Sequence, residues 1–84
     1  MKVLLSANAL RDFQQLDRNV AGRVVQQIGR LARDYNQVPK LALKGKLSYL
    51  FKYRVGDYRI LYSEDPNGDT IVIHRIKHRR EVYS

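Results

Sequence analysis

The feature that most constrains the fold is a run of aromatic or β-branched residues alternating with cations, between residues 49 and 62. Successive side chains of a β-strand point to opposite faces, so this alternation is typical of strands with one apolar face. The run is interrupted at Gly56 and Asp57, a pair typical of a two-residue hairpin turn. The sequence therefore predicts two antiparallel strands joined at this turn.

The turn also predicts which residues lie opposite each other. A two-residue loop places Arg54 opposite Arg59 and Lys52 opposite Leu61. One face of the hairpin is then a core face, made of Phe51, Tyr53, Val55, Tyr58, Ile60 and Tyr62. The other face carries Lys52, Arg54 and Arg59 side by side. Like charges opposite each other are unfavourable by a few tenths to about 1 kcal/mol, so the arrangement indicates an anionic partner.

The first part of the chain predicts a support for this hairpin. Residues 2–5 are a short first strand at an edge of the sheet, and Ser6 and Asp17 are N-caps of two helices. In the first helix, the predicted core residues are Leu10, Phe13 and Leu16. In the second helix, residues 18–35, one apolar stripe contains Val20, Val24, Ile28, Leu31 and Tyr35. We interpret Gly22 and Gly29 as a close contact between the helices.

A basic connector follows at residues 40–48, and it is either a solvated loop or one wall of a phosphate-binding groove. The hairpin and a last strand complete the order β-α-α-β-β-β. The predicted fold class is α+β, a single domain over residues 1–84 with an antiparallel sheet and both helices packed on one face. In the last strand, either Ile71 and Ile73 or the alternate residues Val72, His74 and Ile76 face the helices.

Charge and composition narrow the class of function. Sixteen Lys and Arg against eight Asp and Glu give a net charge of +8, which favours a polyanion such as nucleic acid, or an acidic protein, as partner. The sequence has no cysteine, and its two histidines and scattered carboxylates lack metal-ligand spacing. No segment resembles a signal peptide or a membrane span. We therefore expect a cytoplasmic protein without metal or cofactor.

Three parts of the sequence resemble the RelE branch of the RelE/ParE toxin superfamily. They are the hairpin YRVGDYRILY at residues 53–62, the pair Leu43 and Gly45 before it, and the ending HRREVY at residues 78–83. The resemblance covers nearly the whole chain. It implies a toxin of a type II toxin-antitoxin system that enters the ribosomal A site and cuts mRNA there. It also implies a RelB-like antitoxin as partner, bound in a hetero-oligomer.

The resemblance also implies the site residues. The active-site residues are Lys52, Arg54, Arg59, Arg79 and Tyr83, and Lys77 or Arg75 replaces Arg79 if the last strand is aligned differently. The residues expected to contact mRNA or ribosomal RNA are Lys44, Lys46, Arg75, Lys77, His78 and Arg80.

Among these residues, Lys52 is the predicted general base, because neighbouring cations and partial burial lower the pKa of a lysine. His78 is a less favoured alternative for acid-base work. We expect His74 to be a packed strand residue, and Tyr49, Tyr53, Tyr58 and Tyr62 to pack in the core and at the sheet edge.

Two other functions remain open at the level of sequence. A ParE-like toxin that binds DNA gyrase would share the fold and the antitoxin, so the fold alone does not decide. A plain RNA-binding module would hold phosphates without cutting. The combination of Lys52, Arg54, Arg59 and Arg79 with Tyr83 favours the nuclease.

Overall fold

The structure is a computed structural model that describes residues 1–81. The strands are β1 (Lys2–Leu5), β2 (Leu41–Ala42), β3 (Phe51–Val55), β4 (Tyr58–Glu64) and β5 (Thr70–His78); the α-helices are α1 (Ala7–Gln14) and α2 (Arg18–Arg33); and short 3-10 helices cover Tyr35–Gln37 and Gly45–Leu47. The predicted order lacks one strand, because the connector contains β2. That strand is two residues long and therefore shows no alternating pattern.

The sheet has the strand order β1-β5-β4-β3-β2, which confirms the α+β class and the position of β1 at an edge. The prediction of a wholly antiparallel sheet is wrong for one pair, since β1 is parallel to β5, with Lys2 opposite Thr70. The reason is the chain path: the helices lead from β1 to β2 at the opposite edge, and three reversals of direction from β2 to β5 bring β5 beside β1 in the same direction.

The hairpin register is confirmed in every pair, including Arg54 with Arg59 and Lys52 with Leu61. Gly56 has a φ of 57°, in the left-handed region that a tight turn of this kind requires.

Neither alternative for the last strand is right in full, because a β-bulge interrupts the pairing of β4 with β5 between Leu61 and Tyr62. Ile71 and Ile73 face the helices before the irregularity, and Ile76 faces them after it. A bulge adds a residue on one strand and so changes the alternation of faces beyond it. The sequence pattern alone does not show where this change occurs.

The core lies between the helices and one face of the sheet, as predicted. Its buried residues are Ala9, Val24, Leu31, Tyr35, Val55, Ile60, Tyr62, Ile71, Ile73 and Ile76. The predicted stripe of α2 is confirmed, with Val20 and Ile28 packed against this cluster. In α1 the prediction is wrong for Leu10, which is 47% exposed, because the smaller Ala9 occupies the buried position.

Both predicted helix caps are present. Ser6 Oγ accepts a hydrogen bond from the Ala9 amide at 3.1 Å, and Asp17 Oδ1 accepts one from the Val20 amide at 2.9 Å. The interpretation of Gly22 and Gly29 as a helix contact is wrong, since a Cβ at either position would meet no atom within 4 Å. Within residues 1–81, no helix is long and apolar enough to span a membrane.

Candidate active site

Three cations lie side by side across three strands. Arg54 of β3 is directly opposite Arg59 of β4, and Arg59 is directly opposite Lys77 of β5. Directly opposite residues of antiparallel strands point to the same face, with Cβ atoms about 4.5–5.5 Å apart. Their strand neighbours Val55 and Ile60 are buried in the core, so the three cations point to the face that the helices leave uncovered. We call these three residues the cation row and this side of the sheet the open face.

Lys52 lies on the open face next to the row, two residues before Arg54 and opposite Leu61. Leu61 and Leu50 are only 6% and 5% exposed, although neither belongs to the main core cluster. Leu61 is therefore covered by neighbouring side chains, and Lys52, directly opposite it, is itself half-buried.

Arg79 follows the end of β5 and lies beside the hairpin turn. Its amide donates a hydrogen bond to the Asp57 carbonyl at 2.7 Å, and its Nη1 is 3.8 Å from Asp57 Oδ1. Both side chains are more than half exposed, so this ion pair contributes little stability. Of the last-strand cations, the structure places Lys77 in the row and Arg79 at the turn next to it.

Arg75 lies opposite Leu61, two residues before Lys77 on β5, and its guanidinium is held by α1. Its Nε and Nη2 donate hydrogen bonds to the two carboxylate oxygens of Asp12, at 2.8 and 3.1 Å, and the Ile76 amide donates to the same carboxylate at 2.9 Å. Burial by itself raises the pKa of Asp12, but these hydrogen bonds outweigh it and lower that pKa below the usual range. The bond to Asp12 in turn raises the pKa of Arg75.

The other predicted RNA contacts are not members of the row. His78 is opposite Tyr58 on the helix side of the sheet, with the two rings 5.2 Å apart and perpendicular, and its Nδ1 accepts a hydrogen bond from the Arg80 amide. Arg80 is exposed in the turn after β5. Lys44 and Lys46 are exposed in the segment before β3, at the end of that strand away from the hairpin turn. Tyr83 lies outside the described residues.

A second polar cluster occupies the far end of the open face. His74 Nε2 is 2.7 Å from Ser63 Oγ, and the ring of Tyr49 packs perpendicular to the imidazole with centroids 6.4 Å apart. The prediction that Tyr49 packs in the core or edge is wrong, because it is 62% exposed. Tyr49 lies just outside β3, so strand alternation gives no information about where its side chain points.

The helix side carries an exposed apolar groove beside the edge strand β1. It has a volume of about 350 Å³ and is lined by Val3, Leu5, Leu10, Phe13, Val25 and Ile28. Leu10 and Val25 are 47% and 55% exposed. Apolar surface of this kind often marks a binding site for another protein. Within residues 1–81, no group of three or more His, Asp or Glu residues is placed to hold a metal ion.

Comparison with known proteins identifies the family. The family model described as the ParE toxin of type II toxin-antitoxin systems matches residues 3–83. The chain belongs to the RelE/ParE toxin superfamily. Toxin RelG of Mycobacterium tuberculosis is 35% identical over 82 residues, which cover 96% of this chain and 93% of that protein. Toxin RelE3 of Methanocaldococcus jannaschii is 32% identical over 88 residues, which cover 99% of this chain and 96% of that protein.

Solved structures agree with this membership. The crystal structure of the toxin-antitoxin complex RelBE2 from Mycobacterium tuberculosis matches with a TM-score of 0.81 and 34% identity, covering 93% of this chain and 96% of that chain. The archaeal RelE-RelB complex from Pyrococcus horikoshii matches with a TM-score of 0.69 and 27% identity, covering 96% of this chain and 97% of that chain. The resemblance is confirmed: the chain is a RelE-like toxin of a type II toxin-antitoxin system, and its RelE relatives indicate a ribonuclease family.

Proposed function

We propose that this RelE-like toxin cuts mRNA in the ribosomal A site and thereby stops translation. The observation that carries the proposal is the cation row, formed by Arg54, Arg59 and Lys77 on the open face. Three like charges in adjacent strands are unfavourable for the fold alone. A phosphodiester bound between them offsets this repulsion, and its charge increases further during cleavage.

RNA carries its own nucleophile for this reaction. The 2′-oxygen attacks the adjacent phosphorus, a new bond forms between them, and the bond from phosphorus to the 5′-oxygen breaks. The products are a 2′,3′-cyclic phosphate and a free 5′-hydroxyl, and one proton moves from the 2′-oxygen to the 5′-oxygen. The balance of this step requires no water and no redox partner. The cation row stabilises the negative charge that collects on the phosphorane.

The side chains suit different parts of the step. The planar forks of Arg54 and Arg59 bind phosphate oxygens in a bidentate way and stay charged, which makes them poor proton acceptors. Lys52 is the proposed acceptor of the 2′-hydroxyl proton, because it is half-buried beside Leu61 and next to the row. Tyr83 is proposed to orient a base or to help transfer a proton.

We propose that the ribosome supplies the positioning of the substrate. The cation row lies on an open sheet face, so the toxin by itself gives little constraint on the angle between the 2′-oxygen and the scissile bond. Holding reacting atoms in line is worth many orders of magnitude in rate. Exposed Lys44, Lys46 and Arg80 are available to contact ribosomal RNA phosphates around the site. Such a substrate places the toxin's action in the cytoplasm.

We also propose a RelB-like antitoxin as partner in a hetero-oligomer, because the similar structures from M. tuberculosis and P. horikoshii are toxin-antitoxin complexes. The net charge of +8 and the apolar groove beside β1 suit an acidic, amphipathic segment. Association that slows at high salt supports the electrostatic part, and association that is indifferent to salt contradicts it.

One experiment separates the nuclease from its rivals. The purified protein is added to translating ribosomes, the new mRNA ends are mapped, and gyrase supercoiling is measured beside it. Cuts spaced by codons that are lost in Arg59→Ala support the proposal. Intact mRNA with inhibited supercoiling instead supports a gyrase toxin of the ParE kind. Fast cutting of naked RNA argues for an ordinary ribonuclease.

A further inference from the structure

We propose that the open face also contains a nucleobase-binding subsite, formed by Tyr49, Ser63 and His74, for the RNA whose phosphate lies at the cation row. This inference rests on the proposed function and adds the part of the substrate that the row does not recognise. We call these three residues the Tyr49 cluster.

The cluster lies on the same face as the cation row. Ser63 follows Tyr62, which is fully buried on the helix side, so the Ser63 side chain points the opposite way. His74 Nε2 is 2.7 Å from Ser63 Oγ, which holds the imidazole on this face and fixes its orientation. Both residues are half-buried, so the pair remains partly accessible to a ligand.

Tyr49 supplies the exposed ring that a base would stack on. It is 62% exposed, yet its backbone is held on both sides: the Ser48 amide donates to the Gly45 carbonyl at 3.1 Å, and the Leu50 amide donates to the Leu47 carbonyl at 2.9 Å. The next residue, Leu50, is buried and fixes the chain to the sheet. A ring on a held backbone loses little conformational freedom when a base stacks on it.

The chemistry of the cluster fits a base rather than a phosphate. None of its three side chains is a permanent cation, whereas an aromatic face and a hydroxyl that both donates and accepts are the groups that contact bases. The Tyr49 ring meets His74 at 90°, so the imidazole covers at most one of its two faces. A base stacked there lies beside the Ser63–His74 pair, and the Ser63 hydroxyl has capacity for a further hydrogen bond to its edge.

The spacing links the cluster to the cation row. Ser63 follows Arg59 by four positions on β4, about 13 Å at the usual rise of a strand. Leu61, which is 6% exposed, lies between them on the same face. Lys44 and Lys46, both exposed, precede Tyr49 in the chain. A short single strand lying along this face touches the row with one phosphate and the cluster with a neighbouring base.

The test uses two short single-stranded RNA oligonucleotides that are 2′-O-methylated throughout and therefore cannot be cut by 2′-oxygen attack. One carries all its bases, and the other has abasic central nucleotides. Binding is measured at low salt by fluorescence anisotropy for the wild type and for Tyr49→Ala, Tyr49→Leu, Tyr49→Phe and Arg59→Ala. Circular dichroism verifies that each variant is folded.

We expect Tyr49→Ala and Tyr49→Leu to bind the complete oligonucleotide at least about fivefold more weakly, with no change on the abasic one. Tyr49→Phe should restore binding, because the ring is retained. Arg59→Ala should weaken both oligonucleotides alike, because it binds backbone. Equal losses on both oligonucleotides, wild-type binding by Tyr49→Leu, or a wild type with no preference for the complete oligonucleotide overturns the subsite. Cleavage on ribosomes is measured separately, so a toxin that cuts mRNA without base-dependent binding loses only this inference.

Discussion

Replacing Arg59 with glutamine should stabilise the fold and at the same time strongly slow cleavage. Arg59 is in the middle of the cation row, with Arg54 opposite it on one side and Lys77 on the other. Glutamine keeps a polar side chain in the strand and removes the charge. The guanidinium donates a long hydrogen bond of 3.4 Å to the Tyr58 carbonyl, so little is lost with it.

The size of the gain follows from the two cross-strand pairs. Each pair of like charges destabilises the fold by roughly 0.2–1 kcal/mol, so their removal adds about 0.4–2 kcal/mol before solvent screening. Water around these partly exposed side chains reduces that figure. Since about 1 kcal/mol shifts the Tm of a domain of this size by about 4–8 °C, we expect a rise of about 2–8 °C. Loss of one group that stabilises transition-state charge should slow cleavage by about 10²–10³-fold.

Thermal unfolding is followed by circular dichroism at low salt and at about 1 M salt, where the Debye length falls to about 3 Å. The gain in Tm should be present at low salt and should largely disappear at high salt. Arg30→Gln is the matched control, because it removes the same charge from an exposed position in the last turn of α2. There a cation interacts favourably with the helix terminus, so we expect no gain, or a loss below about 1 kcal/mol.

Two results would refute this reasoning. If Arg59→Gln melts at a lower temperature than the wild type at low salt, the row is not a site of net repulsion. If Arg59→Gln and Arg30→Gln shift the Tm equally, the effect belongs to total charge rather than to the row. Normal cleavage by Arg59→Gln would separate the row from the chemistry.

Three further predictions concern other parts of the molecule. Asp12→Asn should lower the free energy of unfolding at neutral pH by about 1–3 kcal/mol, measured by urea unfolding, because Arg75 loses its charged partner. The pKa of Asp12 is lowered in the folded state, so its stabilising contribution is present above the usual carboxyl pKa and disappears as the pH falls through the folded pKa. The asparagine variant should lack this pH dependence. Tyr62→Phe should raise the free energy of unfolding by about 1 kcal/mol or more, because the buried Tyr62 hydroxyl has no hydrogen-bond partner among residues 1–81. A clear loss of stability in this variant would show that the hydroxyl has a partner. Lys77→Ala should slow mRNA cleavage in single-turnover assays more than Arg79→Ala, because Lys77 lies in the row and Arg79 lies at the turn. If Arg79→Ala were the slower variant, Arg79 rather than Lys77 would be the residue that contacts the scissile phosphate.

The hairpin and its charged face follow from sequence because their determinants are local. Strand alternation and one glycine turn fix the pairing of Arg54 with Arg59, and the structure has this pairing. The same reasoning gives the apolar stripe of α2, which needs only the period of a helix.

The rest depends on contacts between distant parts of the chain. Lys77 enters the row only because of the bulge in the β4-β5 pairing, and Arg75 is held by Asp12, 63 positions earlier. The exposure of Tyr49 depends on how the preceding segment turns, and that segment has no periodic pattern. Local rules predict every strand except the two-residue β2, whereas the register between distant strands and the long-range ion pair require the folded structure.

Single-turnover cleavage of ribosome-bound mRNA by matched alanine variants tests the central claim most directly. One set removes a cation from the row, at Arg54, Arg59 or Lys77, and the other removes an exposed arginine from α2, at Arg30 or Arg33. We predict losses of about 100-fold or more in the row. The α2 variants, whose side chains lie far from the row's face, should stay within about twofold of the wild type. Similar small losses in both sets would contradict the account, because positive charge would then matter only in total and not at this place on the sheet.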